Sequence, residues 1–285
     1  MRSEKEMMDL ILGFAKSDER IRLVGMEGSR LNPHVPKDKY QDYDISFLVT
    51  EMESFKASDS WLDYFGKWIF MQKPEAMSLF PHELGNWFSY LMLFSDGNRI
   101  DLTLIPLEEL ELYLQSDKLL KILLDKDDLV KYPPAPTDQD YHVQKPSAAF
   151  FDDCCNEFWW VSTYVSKGLW RREFLYAIEH FHNYVRKSLL RMLSWKVGID
   201  TGFSLSVGKS YKYLNKYLPP KTWKDLLAIY QNGSFEELWE ALFASFRLFR
   251  EASREVSERL SYPYPDYDEQ ITAFIEKQYR EYLQY

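Results

Sequence analysis

The sequence predicts an α+β chain: a small mixed sheet with helices packed on it, followed by an all-α helical bundle. Three observations carry this. Helix and strand signals alternate through the first half, a proline cluster interrupts the chain at Lys131 to Gln139 (KYPPAPTDQ), and everything after it has helical periodicity. Three prolines in four residues can continue neither a helix nor a central strand. A boundary is therefore expected there, with one domain over residues 1–136 and a second over 137–285. With 285 residues, 46% hydrophobic and 17% aromatic, each part can bury a core, and general disorder is excluded.

Residues 3–16 carry an amphipathic helical pattern interrupted by Glu4, Glu6 and Asp9, which a secretory leader would not have. Ile21 to Gly25 is a short apolar strand leading into Gly28-Ser29. Asp42 to Val49 alternates polar and apolar residues as a half-buried strand does, with Ile45, Phe47 and Val49 toward the core. Ser60 to Met71 reads as an aromatic-rich helix. Trp87–Phe94 and Arg99–Ile105 flank Ser95-Asp96-Gly97-Asn98, and Asp-Gly between alternating runs predicts a hairpin. A helix over Leu107–Leu114 follows. In the second part the candidate helices are Ser147–Ser166, Arg171–Val197, Tyr211–Tyr217, Lys221–Gln231, Phe235–Leu260 and Asp268–Leu283.

The longest apolar runs are too short to span a membrane, and the chain is expected in the cytoplasm. Cys154 and Cys155, adjacent and alone, would make a strained disulfide and cannot build a structural zinc site. They are read as buried thiols. The net charge of −9 repels a nucleic-acid polymer and favours a cationic partner.

Two segments carry the chemistry. Gly28-Ser29-Arg30 precedes Asp42-Tyr43-Asp44, and Asp101 sits inside Arg99-Ile-Asp-Leu-Thr-Leu-Ile105. Acid-x-acid triplets arise by chance about seven times in a chain with 44 acidic residues among 285, so the pair alone means little. Context gives it weight. Residues two apart on a strand share a face, and the repulsion between Asp42 and Asp44 would be relieved by a divalent cation. Gly28-Ser29 is either an ordinary turn or a close backbone approach to phosphate. Asp101, between Ile100 and Leu102, points away from the face they bury. A turn, a double acid and a single acid form a kit for holding Mg²⁺ against a nucleoside triphosphate.

That order resembles the polymerase-beta-type nucleotidyltransferase superfamily. QDYDISFLV, GNRIDLTLIP, FWWVSTYVSKGLWRRE and SVGKSYKYL are similar, over nearly the whole chain, to the aminoglycoside 6-adenylyltransferases, the streptomycin adenylyltransferases of bacteria. The resemblance implies that Asp42 and Asp44 bind Mg²⁺, that Asp101 is the third active-site carboxylate, and that Gly28, Ser29 and Arg30 cradle the triphosphate of ATP. It makes residues 1–136 a nucleotidyltransferase domain and residues 137–285 a helical substrate-binding domain.

Gly208-Lys209-Ser210 is not a P-loop, because Gly202 lies one residue too far upstream and no strand–loop–helix surrounds it. Lys209 and Lys212 stand three apart at an expected helix start, where cations and free N–H groups together bind phosphate. They are either solvated lysines or, as the resemblance implies, a nucleotide-phosphate contact reached across the domain cleft. On the expected helix over 150–165, Phe151, Cys154, Cys155, Phe158, Ser162 and Val165 form the core face. Asp153, Asn156, Glu157, Trp160 and Tyr164 cluster on the other side. Carboxylates with aromatics suit a guanidinium or ammonium ligand; the alternative is packing against another helix. His180 and His182 diverge by about 200° on a helix and are read as structural.

The reading is a Mg-dependent enzyme moving AMP from ATP to a hydroxyl of a cationic aminoglycoside, with pyrophosphate leaving. The resemblance implies the 6-hydroxyl of streptomycin; the residues alone reach only a cationic acceptor alcohol. The rival is a regulatory or non-enzymatic protein of the same fold that binds nucleotide or a partner protein. The intact acids argue against it, and the absence of a basic stripe argues against nucleic acid.

Overall fold

The computed structural model describes residues 1–133 and 135–284, so Pro134 of the proline cluster and Tyr285 lie outside the described residues. The chain divides into two compact units, Met1–Asp140 and Tyr141–Tyr285. Among the described residues no helix is long and apolar enough to cross a membrane.

The first unit opens with α1 (Glu4–Ser17), which the sequence starts by a capping box: Ser3 accepts from the Glu6 N–H while the Glu6 carboxylate accepts from Ser3. Six strands follow: β1 (Ile21–Glu27), β2 (Tyr43–Val49), β3 (Trp68–Gln72), β4 (Phe88–Phe94), β5 (Arg99–Pro106) and β6 (Leu120–Asp125). They form one sheet in the order β3-β4-β5-β2-β1-β6. β2 and β5 run parallel and the other neighbours antiparallel, so the sheet is mixed as expected. Two short helices, α2 (Glu53–Lys56) and α3 (Leu110–Ser116), complete the unit.

Both faces of this sheet are covered. Met7, Ile11 and Phe14 of α1 pack with Tyr43, Ile45 and Phe47 on one face. On the other, Tyr113 of α3 joins Leu23, Leu48, Ile105 and Leu120. The expected half-buried β2 is therefore corrected: Ser46 and Leu48 are buried as well. The Asp-Gly hairpin forms as expected between β4 and β5. The helix expected over Ser60–Met71 does not form. A 3₁₀ turn over Asp59–Phe65 ends at Gly66, and Trp68–Gln72 becomes edge strand β3 because it pairs with β4. Strand β6 was not foreseen; it pairs with β1.

The second unit is helical: α4 (Ala148–Trp170), α5 (Phe174–His180), α6 (Arg186–Asp200), α7 (Pro220–Ala228), α8 (Phe235–Leu260) and α9 (Asp268–Tyr282). Ser147 and Ser234 cap α4 and α8 by accepting from the third N–H of each helix. The core face expected for α4 is buried in full, with Phe158 stacked on Phe249 of α8 at 3.7 Å between ring centroids. Cys154 and Cys155 are buried free thiols. The single helix expected over Arg171–Val197 is interrupted: Arg172 takes φ 61°, and a π-helical turn at Phe181–Val185 separates α5 from α6. Over Tyr211–Tyr217 the expected helix is replaced by two 3₁₀ turns, Lys209–Tyr211 and Leu214–Lys216. Ser210 (φ 56°) and Tyr211 (φ 62°) take backbone angles that no α-helix admits.

Candidate active site

Strand register assembles the acids. In the parallel pair β2–β5, Asp44 lies opposite Asp101. In the antiparallel pair β1–β2, Asp44 lies opposite Glu27. Registered neighbours share a face, so three carboxyl groups form one row across β1, β2 and β5. Asp42 stands just ahead of β2, and the buried Tyr43 between it and Asp44 sends both acids to the side away from the α1 core.

The row crowds like charges together. Burial, and then the charges of Asp101 and Asp42, push the Asp44 carboxyl up to about 6. Burial also raises Asp42, with Arg99 pulling it back and Asp101 pushing it further. Glu27 is pushed up to about 7 by burial, against hydrogen bonds from Tyr113 and Ser46. Arg99 is the counter-charge. Its Nε and one terminal nitrogen each donate to an Asp101 carboxylate oxygen at 2.8 Å, and its other terminal nitrogen stands 3.8 Å from Asp42 Oδ2. Among the described residues no group of three His, Cys, Asp or Glu side chains stands in metal-holding geometry. The donor chemistry nevertheless suits Mg²⁺: hard carboxylate oxygens on one side of a sheet, mutually repelling.

The Gly28–Arg30 segment is a 3₁₀ turn at the end of β1. Gly28 has φ +78°, and a Cβ there would lie 2.1 Å from Asp44 Oδ2, so the backbone and the acid approach closely only because the residue is glycine. The Gln41 side-chain amide donates to the Ser29 carbonyl at 3.3 Å, bracing the turn. The Arg30 side chain, expected at the phosphates, is already engaged by protein groups. Its guanidinium donates to the carbonyls of Asp42 (2.9 Å) and Gln41 (2.7 Å), pairs with Glu4 at 3.2 Å and covers the Tyr43 ring. With its side chain only 9% exposed, it is a strut fixing the loop that delivers Asp42. Behind the row, Tyr113 donates to Glu27, and it reaches there across Gly25, where any Cβ would collide with the phenol oxygen.

In the second unit, Lys209 and Asp153 line a cavity of about 890 Å³ together with Phe150, Arg191, Trp195 and Tyr211. The helix start expected beneath Lys209 and Lys212 is absent, so no helix N-terminus assists them. Lys212 is outside the cavity lining, its Nζ 5.1 Å from the Tyr213 ring centroid. Asp153, Glu157 and Trp160 are exposed along one side of α4, and Trp160 is 57% accessible. Trp160 donates to the Tyr164 hydroxyl at 3.0 Å. The Tyr164 ring already meets a cation, Lys167, at 4.7 Å. His180 Nδ1 donates to the Tyr176 carbonyl and the ring lies between those of Tyr176 and Tyr184, while His182 meets Asn232. The two histidines share no ligand geometry, as their spacing implied.

Sequence reasoning missed Glu27, Arg99 and Arg191. Glu27 had a signal, an acid at the strand end directly before Gly28. Arg99 had another, its position two residues before Asp101 on the same strand face. Arg191 has none within its helix.

A family profile described as streptomycin adenylyltransferase matches residues 1–278. The aminoglycoside 6-adenylyltransferase of Bacillus subtilis (strain 168) is 56% identical over 277 residues, covering 97% of this chain and 98% of the relative. The protein of the same name from Campylobacter jejuni is 52% identical over 282 residues, covering 99% and 98%. A solved structure described as an aminoglycoside 6-adenyltransferase from Bacillus subtilis matches with 52% identity, 98% and 99% coverage and a TM-score of 0.49.

The raised Glu27 carboxyl has a consequence for stability. Its folded value of about 7 exceeds the unfolded carboxyl value, so the folded form binds the proton more tightly. The associated stability is present below about pH 4 and is lost as pH rises through 7. Glu27→Gln should flatten that fall. In urea unfolding with EDTA present, the native protein is expected to lose up to about 3 kcal/mol more than the variant between pH 5 and pH 8. Equal slopes in the two proteins would show that Glu27 ionises freely.

Proposed function

The chain belongs to the streptomycin adenylyltransferase family, and from that premise we propose that it transfers AMP from Mg-ATP to a hydroxyl of an aminoglycoside, the 6-hydroxyl of streptomycin, releasing pyrophosphate. The observation that carries this is the register: Asp44 beside Asp101 on parallel strands, over the Gly28 backbone, with Asp42 two residues away.

Asp42, Asp44 and Asp101 would hold Mg²⁺, which supplies charge neutralisation of the triphosphate and alignment of its α-phosphorus. The Gly28 and Ser29 backbone, braced by Gln41, presents N–H groups and a hydroxyl to phosphate oxygens. Asp101 takes the proton of the attacking hydroxyl. The new bond joins that oxygen to the α-phosphorus, and the bond to the bridging oxygen breaks to free pyrophosphate. Arg30 contributes by holding the Gln41–Asp42 backbone.

Lys209 is the proposed phosphate contact of the second unit, with Arg191 supplying further positive charge to the same cavity. The acceptor meets Asp153, Glu157 and the open face of Trp160, and Tyr164 steadies Trp160 through its hydroxyl. A net charge of −9 favours this polycation and disfavours a nucleic-acid acceptor. Two unpaired buried cysteines agree with a reducing compartment, the cytoplasm.

Three outcomes are expected. Asp42→Asn and Asp44→Asn each lower pyrophosphate release with streptomycin by at least about 10³-fold while thermal unfolding is unchanged or shifts upward, because a like charge is gone. A folded variant with near-native turnover would remove these acids from the site. Lys209→Ala raises the KM for ATP about tenfold and that for streptomycin far less. Lys212→Ala has the smaller effect, and equal shifts for both substrates would count against the phosphate contact. Glu157→Gln and Trp160→Ala each weaken streptomycin binding about fivefold in calorimetry with ATP binding intact, the Glu157 effect shrinking at high salt. Full streptomycin affinity in both variants would move the acceptor off this strip.

A further inference from the structure

The contact that distinguishes the carboxylate row is the Arg99 fork. Two nitrogens donate to the two oxygens of Asp101, and a third nitrogen faces Asp42. The charge of this one guanidinium is felt by Asp42 and Asp44, and theirs by it. An arginine two residues before an aspartate on a strand is often an ordinary surface pair. Here the same guanidinium serves three acids, and the other cation near them, Arg30, is locked to backbone carbonyls. Its side chain is 43% exposed, and the groups that hold it among the described residues are carboxylates, so it has room to leave.

We propose that Arg99 is a displaceable counter-cation of the acidic row, and that it must release Asp101 and Asp42 for a divalent ion to bind them. The inference rests on the metal-binding reading of these acids. A carboxylate whose two oxygens both accept from one arginine has few lone pairs directed elsewhere. Metal entry and Arg99 departure are then one event. The acids avoid mutual repulsion before the ion arrives, and metal binding alone is weakened by the contacts it has to break. Once displaced, the guanidinium is a free cation beside a site that receives a polyanion. Nucleotide would therefore favour metal binding by giving Arg99 a new partner, a coupling between two ligands through one side chain.

The test is Mn²⁺ binding without nucleotide, read by electron paramagnetic resonance at pH 8, on the full chain. Arg99→Gln is expected to bind Mn²⁺ about tenfold more tightly than the native protein. Its melting temperature in EDTA falls, and Mg²⁺ raises it by more than in the native protein. Arg99→Lys keeps the charge but loses the fork, so its Mn²⁺ affinity lies between the two and serves if the glutamine variant does not fold. Mn²⁺ binding no tighter in either variant than in the native protein overturns the proposal. Asp44→Asn in the native and Arg99→Gln backgrounds separates the two readings. If it abolishes Mn²⁺ binding but Arg99→Gln is no tighter, only the Arg99 role fails. If Mn²⁺ still binds with Asp44→Asn, the metal lies elsewhere, and both readings fail.

Discussion

Three carboxyl groups in one row of a sheet repel one another, and the rest of the first unit is arranged to tolerate that repulsion. The sheet order places β2 between β5 and β1, so the register that aligns Asp44 with Asp101 also aligns it with Glu27. Each acid is accommodated differently. Glu27 takes a hydrogen bond from Tyr113 and holds its proton toward neutral pH. Asp101 takes the Arg99 fork. Asp44 has neither, and burial, with the charges of Asp101 and Asp42, raises its carboxyl. Two glycines make these arrangements sterically possible, Gly25 beneath Tyr113 and Gly28 beneath Asp44. The opposite face supplies the stability, where the α1 side chains bury Ile45 and Phe47 on the same strand.

A helix of the second unit divides its surface in the same way. One side of α4 is core, fixed by the Phe158–Phe249 stack and by buried Trp159. The other side keeps a tryptophan and two carboxylates in solvent, where burial gives no reason for the tryptophan. His180 at the end of α5 meets the Tyr164 ring, extending the aromatic surface from α4 onto the next helix. The π-helical turn that follows sends Phe181 and Val185 into the core.

Much of this was legible in the sequence, and the failures have physical causes. Period-2 alternation and Asp96-Gly97 gave the β4–β5 hairpin, and helical periodicity gave α8 with its observed ends. Residues 60–71 failed because an aromatic-rich apolar run satisfies a helix or a strand, and pairing with β4 decided the outcome. Strand β6 failed because its neighbour β1 is 93 positions or more away in sequence, which local pattern cannot register. The Asp42, Asp44 and Asp101 set was legible because face parity is local. Glu27 had only its place before Gly28 as a signal, because its membership of the row depends on the pairing of β1 with β2.

Two arginines beside the acids show why residue type alone does not assign a role. Arg30 and Arg99 each lie near Asp42, and from sequence Arg30 had the stronger claim to a phosphate. Arg30 donates to two backbone carbonyls, pairs with Glu4 and stacks over Tyr43, with little surface left open. Removing it would free a loop. Arg99 meets the side chains of Asp101 and Asp42, and nearly half of it faces solvent. A guanidinium locked to backbone can set geometry but cannot respond to a ligand. One held by carboxylates alone can exchange those partners for an anion of the same kind. The difference lies in what accepts the hydrogen bonds, which only the fold determines.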